Sequence, residues 1–214
     1  MIELTEVSIE YQRHGRFRRS RQSVCALDRV SIRIEAGARI GITGPSGSGK
    51  STLARCIAGW LTPAAGVVRR NGQVQLVMQD PGASLNPRFT AARAVVEPLR
   101  IRGIRSGNAA ELLEQVGIEA ARAGDRTGQF SGGQRARIAL ARALAALPEP
   151  VNSLLILDES LSSLDEDTRS SVLDLLDARN RTLGLAFLIV DHDPELLAEW
   201  TDQVLIMESG RVVV

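Results

Sequence analysis

The chain reads Gly44-Pro45-Ser46-Gly47-Ser48-Gly49-Lys50-Ser51 between two apolar segments. This run matches the phosphate-binding pattern GxxxxGK[ST] throughout, and it lies between a predicted strand, Ala38–Thr43, and a predicted helix, about Ser51–Ala58. Glycines let backbone N–H groups wrap around a phosphate, and the N-terminus of the helix adds partial positive charge. We therefore expect residues 44–52, Thr52 included, to bind a nucleoside triphosphate. In this site Lys50 reaches the β- and γ-phosphates and the Ser51 hydroxyl ligates magnesium.

Lys50 is the only lysine in the chain, and every other basic side chain apart from the two histidines is an arginine. A compact ammonium and a planar guanidinium differ in shape and in hydrogen-bonding pattern. The single lysine therefore marks a position where only the point charge fits.

The composition is that of an ordinary globular protein of 214 residues, with 44% hydrophobic residues, 24% charged residues and a net charge of +1. This length suits one good-sized domain. The balanced charge gives no sign of a nucleic-acid partner. Only the stretch Arg13–Arg21 is locally basic. We interpret it as a solvated loop, and a patch facing phosphates or lipid headgroups stays open as the alternative.

The cysteines and the apolar runs suggest a reducing compartment and no membrane span. Cys25 and Cys56 lack CxxC spacing, so we expect each to be a small buried hydrophobic residue. The start of the chain does not resemble a secretory signal. The longest apolar run, Leu185–Val190, is far shorter than the roughly 20 residues of a membrane helix. We expect any membrane association to be peripheral.

The alternation of apolar segments predicts an α/β fold over one domain, residues 1–214. Short apolar strands between helices indicate a mostly parallel sheet covered on both faces. The stretch from about 80 to 130 differs in character and is predicted to be a helical insertion. The predicted strands are 2–9, 30–35, 38–43, 73–78, 154–157 and 185–190, and the predicted helices are 51–58, 91–99, 109–116, 133–147, 166–180 and one beginning at Pro194. A hairpin is predicted at Ser209-Gly210.

A second group of chemically active residues ends the apolar strand at 154–157. Asp158 follows that strand and is placed to hold magnesium, directly or through water. Glu159 is then placed to polarise an attacking water, the role of a general base in phosphoryl transfer. Two acids after a strand are common by themselves, and the pairing with the phosphate loop makes the functional interpretation the better one.

Phe130-Ser131-Gly132-Gly133-Gln134 precedes an alanine- and arginine-rich helix. Ser131 caps the predicted helix, and the two glycines allow an anion to approach its N-terminus. This segment resembles the signature sequence of ABC ATPases, usually LSGGQ. The resemblance implies a P-loop NTPase core of the ABC ATPase type, with an antiparallel β subdomain and a helical insertion subdomain.

The resemblance extends to further positions in the same order. Tyr11 is similar to the aromatic residue that stacks on adenine, although a partly buried strand tyrosine is the alternative. Gln79 resembles the glutamine that contacts magnesium and the attacking water. Ser160-Leu161-Ser162-Ser163-Leu164-Asp165 resembles the D-loop, which crosses to a partner subunit. His192 resembles the switch histidine that contacts the γ-phosphate.

The resemblance implies two ATPase subunits facing head to tail, as a homodimer or with a sister ATPase, and ATP and Mg²⁺ as the bound groups. ATP would lie between the Lys50 loop of one chain and residues supplied by the other. Catalysis would involve Glu159, His192 and Lys50. The residues supplied from the partner would be Ser131, Gly132, Gly133, Gln134 and Asp165, and the magnesium ligands would be Ser51, Gln79 and Asp158.

The subfamily is indicated by Met78–Arg88, which resembles the corresponding region of bacterial oligopeptide, dipeptide and nickel importer ATPases. Glu97-Pro98-Leu99 fits the same pattern. The resemblance implies a peripheral location on the cytoplasmic face of the inner membrane, and contacts with permease subunits through the helical subdomain. Those ATPases generally run past Val214, and the stretch from Lys50 to Gln79 is short for the group, so a metal or metal-chelate cargo stays open.

The competing class is a non-transport ABC protein acting in phosphonate breakdown or DNA repair. Nucleic-acid-acting relatives usually carry long insertions, which the sequence lacks. Phosphonate-pathway relatives are short single domains and remain an alternative. A P-loop kinase or GTPase is disfavoured by Phe130–Gln134 together with His192.

Overall fold

A computed structural model describes residues 1–14, 21–104, 108–147, 152–162 and 164–213. Residues 15–20 of the basic stretch and Ser163 of the predicted D-loop lie outside the described residues. The strands are β1 (Ile2–His14), β2 (Arg21–Ile34), β3 (Arg39–Thr43), β4 (Ala65–Arg70), β5 (Val74–Val77), β6 (Leu154–Asp158), β7 (Ala186–Val190), β8 (Gln203–Glu208) and β9 (Arg211–Val212). The helices are α1 (Lys50–Ile57), α2 (Ala91–Ile101), α3 (Ala109–Gln115), α4 (Gly132–Ala146), α5 (Glu166–Leu183) and α6 (Pro194–Trp200), and 3-10 turns cover Pro81–Ser84, Ala120–Arg122 and Thr127–Gln129.

The main sheet has the strand order β5-β6-β7-β3-β8-β9. All neighbouring strands in it are parallel except the terminal pair β8 and β9. The carboxyl ends of β3, β6 and β7 therefore lie at one edge, where ligands bind in open α/β sheets. The predicted α/β class, with its mostly parallel sheet, is confirmed.

A second sheet is antiparallel, with the order β2-β1-β4. The prediction was incomplete here: β2 begins at Arg21, well before Val30, and β4 was not predicted. The alternation of β1 breaks at register shifts after Leu4 and Val7. β4 is an edge strand with mostly exposed residues, so it lacks the apolar signal that marks a buried strand.

The two faces of the main sheet belong to two different hydrophobic cores. Leu154 and Ile156 of β6 pack with α1 and the antiparallel sheet. Leu155 and Leu157, the alternate residues, pack with α2, α4 and α5. Successive strand residues point to opposite faces, so one uninterrupted apolar run supplies both cores.

The helices of residues 91–146 begin at polar capping residues. Thr90 and Asn108 accept hydrogen bonds from the N–H groups of Arg93 and Glu111, which satisfies otherwise unpaired donors at the starts of α2 and α3. Both helices pack against α4 in a shared core. None of the helices within the described ranges is long and apolar enough to span a membrane.

The two cysteines have different environments. Cys56 is buried in α1, as expected, and burial raises the pKa of its thiol. Cys25 is exposed, so the prediction that it is buried is wrong. Cys25 lies opposite Glu10 in the β1–β2 pair and does not belong to the hydrophobic core that contains Cys56.

Candidate nucleotide site

The loop of residues 44–49 joins β3 to α1 at the carboxyl edge of the main sheet. Two of its glycines occupy positions where a side chain would not fit. A Cβ on Gly44 would lie 2.1 Å from the carbonyl oxygen of Met207, and one on Gly49 would lie 2.5 Å from that of Ala26. Both glycines also have positive φ angles, of 142° and 108°. The sequence therefore forms this tight turn only because glycine occupies both positions.

Lys50 is the first residue of α1 and is 7% exposed. Its Nζ donates hydrogen bonds to the carbonyl oxygens of Gly44, at 2.7 Å, and Pro45, at 2.9 Å. The ammonium group is thereby folded back over the loop. A nearly buried charge held by neutral carbonyl groups is well suited to receive an anion.

Ser51 and Asp158 meet although they come from distant parts of the chain. The Ser51 hydroxyl donates a 3.0 Å hydrogen bond to Oδ1 of Asp158. Asp158 ends β6 and is 3% exposed. Burial raises the pKa of Asp158, the Ser51 hydrogen bond opposes the rise, and the charge of Glu159 adds to it. A cation at this position would relieve the cost of the buried charge.

Gln79 and Glu159 form a second polar pair at the same edge. Nε2 of Gln79 donates a 2.9 Å hydrogen bond to Oε2 of Glu159. Glu159 has a φ angle of 50°, in the left-handed region, and its N–H donates to the carbonyl oxygen of Val190. A residue keeps such a strained backbone conformation only where the surrounding structure holds it in place, and residues of this kind are frequent at functional sites.

A cavity of about 430 Å³ opens over the loop. The predicted site residues that line it are Tyr11, Ser46, Gly47, Gly49, Lys50, Ser51, Thr52, Gln79 and Glu159. Three more lining residues, Val24, Cys25 and Ala26, were missed. Tyr11 is 41% exposed and pairs with Val24 across β1 and β2. Pairing of β1 with β2 brings the missed residues to the cavity. From the sequence, they could have been predicted only by pairing Val24 with Tyr11.

The residues present fit a magnesium–nucleotide complex. The cavity volume lies within the usual range for small-molecule sites. Ser51, Asp158 and Gln79 offer hydroxyl, carboxylate and amide oxygens, the hard donors that Mg²⁺ prefers. The buried hydroxyl of Ser48 has no hydrogen-bond partner among the described residues, so the loop holds polar capacity that the chain alone does not use.

The residues expected to act on a partner's nucleotide do not reach this cavity. Ser131 caps α4: its hydroxyl accepts from the N–H of Gln134 at 3.2 Å, and Oε1 of Gln134 accepts from the N–H of Ser131 at 3.0 Å. A Cβ on Gly132 or Gly133 would meet nothing within 4 Å. The start of α4 is therefore an open surface with donors available to an anion.

Asp165 and His192 also lie outside the cavity lining. Asp165 caps α5 by accepting from the N–H of Thr168 at 3.0 Å, and this hydrogen bond holds the pKa of Asp165 below its ordinary value. His192 follows β7, and its side chain is 75% exposed. Both residues face solvent at the same edge of the sheet as the loop.

Comparison with known proteins supports one family. The ABC transporter family profile matches residues 27–162. The glutathione import ATP-binding protein GsiA of Salmonella typhimurium is 36% identical over 94% of this chain and 35% of its own length. A putative peptide import ATP-binding protein of Brucella abortus is 37% identical over 88% of this chain and 62% of its own length. This chain thus spans about a third of the length of the first relative and less than two thirds of the length of the second.

Two further comparisons cover the whole chain. The probable D,D-dipeptide transport ATP-binding protein DdpF of Escherichia coli K12 is 36% identical over 100% of this chain and 71% of its own length. The ATP-binding cassette MJ0796, in a dimeric post-hydrolysis structure with ADP and Pi, has a TM-score of 0.86 and 28% identity over 100% of this chain and 97% of that one. The chain belongs to the ABC transporter family, as its ordered motifs predicted, and it has the fold of an ABC ATP-binding cassette.

Proposed function

We propose that this chain is the ATP-binding and ATP-hydrolysing subunit of a bacterial importer for peptides. The observation that carries the proposal is the convergence of Lys50, Ser51, Gln79 and Glu159 on one cavity, with Asp158 behind Ser51. Two relatives that match most of the chain are named as glutathione and putative peptide import ATP-binding proteins, and a third as a probable D,D-dipeptide transport ATP-binding protein. We also propose that residues 1–214 form one ATPase domain, with residues of about 80–130 as its helical subdomain.

Each residue of the cavity has a distinct part in this proposal. Lys50 releases the carbonyls of Gly44 and Pro45 and binds the β- and γ-phosphates. Ser51, Asp158 and Gln79 hold Mg²⁺, which neutralises phosphate charge when it is bound. Glu159 accepts a hydrogen bond from the attacking water and orients it toward the γ-phosphate. His192 contacts the γ-phosphate, and Tyr11 stacks on the adenine.

The complete site requires two chains in this proposal. Ser131, Gly132, Gly133, Gln134 and Asp165 lie on open surface away from the cavity, so they serve the nucleotide of a partner. The partner is a second copy or a sister ATPase. ATP bound between the chains favours the closed form of the dimer. Loss of the γ-phosphate by hydrolysis lets the two chains separate.

The membrane contact is proposed at the side of the helical subdomain. A cavity of about 230 Å³ lies between α2, α4 and the segment after β5. It is lined in part by Trp60 and Ile101, which are 59% and 81% exposed, and by Arg142. Exposed apolar side chains around a cavity are typical of interaction sites. We propose that permease subunits dock there and hold the chain at the cytoplasmic face of the inner membrane.

The first test is to measure hydrolysis of Mg-ATP by the purified chain and to identify the proteins that co-purify with it from gently solubilised membranes. We expect hydrolysis and multi-span membrane subunits. Trp60→Ser should reduce recovery of those subunits without changing the basal hydrolysis of the isolated chain. Val67→Ser is the matched control, since Val67 is 52% exposed on β4. Recovery of soluble partners alone would contradict transport and favour a non-transport ABC complex.

The cargo is tested with the same complex. Transport assays with reconstituted permease should show ATP-dependent uptake of short peptides. Nickel or metal-chelate uptake in place of peptide uptake would correct the cargo and leave the ATPase proposal intact.

A further inference from the structure

Asp191 is a buried acid that has no part in the site described above. It follows β7, and its N–H donates to the carbonyl oxygen of Ile42 at the end of β3. Its side chain is only 4% exposed. Oδ1 of Asp191 accepts hydrogen bonds from the N–H groups of His192, at 2.7 Å, and Asp193, at 3.0 Å. The acid therefore fixes the backbone at His192.

The same carboxylate faces the ring of His192. Nδ1 of His192 lies 3.5 Å from Oδ1 of Asp191. Among the described residues, no arginine or lysine forms a salt bridge with Asp191. The imidazole of His192 is thus the basic side chain that the Asp191 carboxylate contacts in the described residues.

The charge at this position is not required by the backbone hydrogen bonds. An asparagine amide or a serine hydroxyl accepts N–H groups in the same kind of turn. Burying a carboxylate costs more free energy than burying either neutral group. A favourable interaction of the carboxylate charge must therefore offset this cost. The neighbouring imidazole of His192 is the group that can provide it.

We propose that Asp191 is a positioning residue for His192, whose carboxylate orients the imidazole for contact with phosphate. Nδ1 of the ring lies on the side of Asp191, so Nε2 is the ring nitrogen left for a phosphate. The carboxylate then contacts one edge of the ring, and a phosphate oxygen can contact the other. The inference rests on the proposed ATPase function, because it assigns His192 a phosphate contact.

The test is a double-mutant cycle on Mg-ATP hydrolysis, with nucleotide affinity measured separately by a fluorescent ATP analogue. Asp191→Asn keeps both backbone hydrogen bonds and removes the charge. We expect a fall in kcat of about 10- to 100-fold, the range found when a carboxylate that orients a metal-ligating histidine is removed, with a nucleotide Kd within about twofold of the wild type. Asp191→Ser is a second charge-free variant and should behave in the same way.

The cycle separates action through His192 from a general structural role. His192→Ala should also lower kcat, and adding Asp191→Asn to it should cause no further loss, because residues that act as a unit are not additive. Asp193→Asn is the matched control, since Asp193 only caps α6, and it should hydrolyse ATP at the wild-type rate. Thermal melting of each variant monitors folding.

Two results would overturn the inference alone: wild-type kcat in Asp191→Asn, or a further loss when it is combined with His192→Ala. Absence of hydrolysis by the wild-type protein would overturn the proposed function, and this inference with it.

Discussion

The Ser51 hydroxyl and the Asp158 carboxylate are 107 residues apart in the sequence and 3.0 Å apart in the structure. Ser51 follows the loop after β3, and Asp158 ends β6, with β7 between these two strands in the sheet. The hydroxyl provides one hydrogen bond to a carboxylate that is otherwise poorly solvated. A cation bound beside this pair would offset the cost of the buried charge.

Asp158→Asn should stabilise the nucleotide-free chain while removing its response to Mg-ATP. Burial raises the pKa of Asp158 above its ordinary 3.8, so the protonated form is favoured on folding. Protonation of Asp158 therefore stabilises the folded chain. This stabilisation is complete below pH 3.8 and is lost as the pH rises through the higher folded-state pKa. At pH 7 a neutral amide should raise Tm by about 2–4 °C, a shift typical of one local change in a domain of this size. Calorimetry with and without Mg-ATP checks both effects, and a lower Tm would contradict the first.

Glu159→Gln should bind ATP but lower kcat by about 10²- to 10⁴-fold, the usual contribution of a positioned general base. The amide retains a partner for Gln79 and cannot accept a proton. With Mg-ATP the variant should accumulate as a closed pair of chains, visible by size-exclusion chromatography. Glu199→Gln, at an exposed position in α6, is the matched control. Normal turnover in Glu159→Gln would remove Glu159 from this role.

Lys50 should be protected from chemical modification by nucleotide. Since it is the only lysine, an amine-reactive reagent has two targets, Lys50 and the terminal amino group. Mg-ATP should reduce labelling of Lys50 by about tenfold when it is present at about ten times its Kd, with the terminal amine unchanged as an internal control. Mass spectrometry measures both. Equal labelling of Lys50 with and without nucleotide would show that phosphate does not bind there.

Cys25 should report on the same cavity. Its thiol is exposed in the lining, whereas Cys56 is buried with a raised pKa, and thiolates are the reactive form. A maleimide should therefore label Cys25 first, and ATP should slow the reaction. A bulky adduct at Cys25 should weaken nucleotide binding, and Cys25→Ala should abolish this sensitivity. Faster labelling of Cys56 would contradict the assignment.

Asn180 should be important for stability and not for catalysis. Its Nδ2 donates to the carbonyl oxygens of Gly37 and Leu185, both at 2.8 Å, and its Oδ1 accepts from Arg39. Asn180→Ala removes this donor from both carbonyl groups and one acceptor from Arg39, which keeps its ion pair with Asp177. It should lower the free energy of unfolding by about 2 kcal/mol. Urea denaturation provides the measurement. Ser170→Ala, at an exposed position of the same helix, should change it by less than about 0.5 kcal/mol.

The sequence predicted some helices and strands accurately and missed others. α1, α4, β6 and β7 were predicted to within a few residues, because apolar periodicity and capping residues such as Ser131 act locally. The strand β4 was missed because an exposed edge strand has no apolar pattern. Cys25 was misplaced because an isolated cysteine gives no information about the sheet that surrounds it. Asp191 was overlooked because its burial arises from the packing of β7 beside β3.

The sequence by itself determined the phosphate loop, the order of its motifs and the family they indicate. Gly44, Gly49 and Lys50 act through local backbone geometry and charge, which short-range sequence specifies. Tertiary structure alone decided that the Ser51 hydroxyl donates directly to Asp158, that Cys25 lines the cavity and that Asp191 is buried. These contacts depend on strand order and on two cores sharing one sheet, and that order is set by long-range packing of apolar faces.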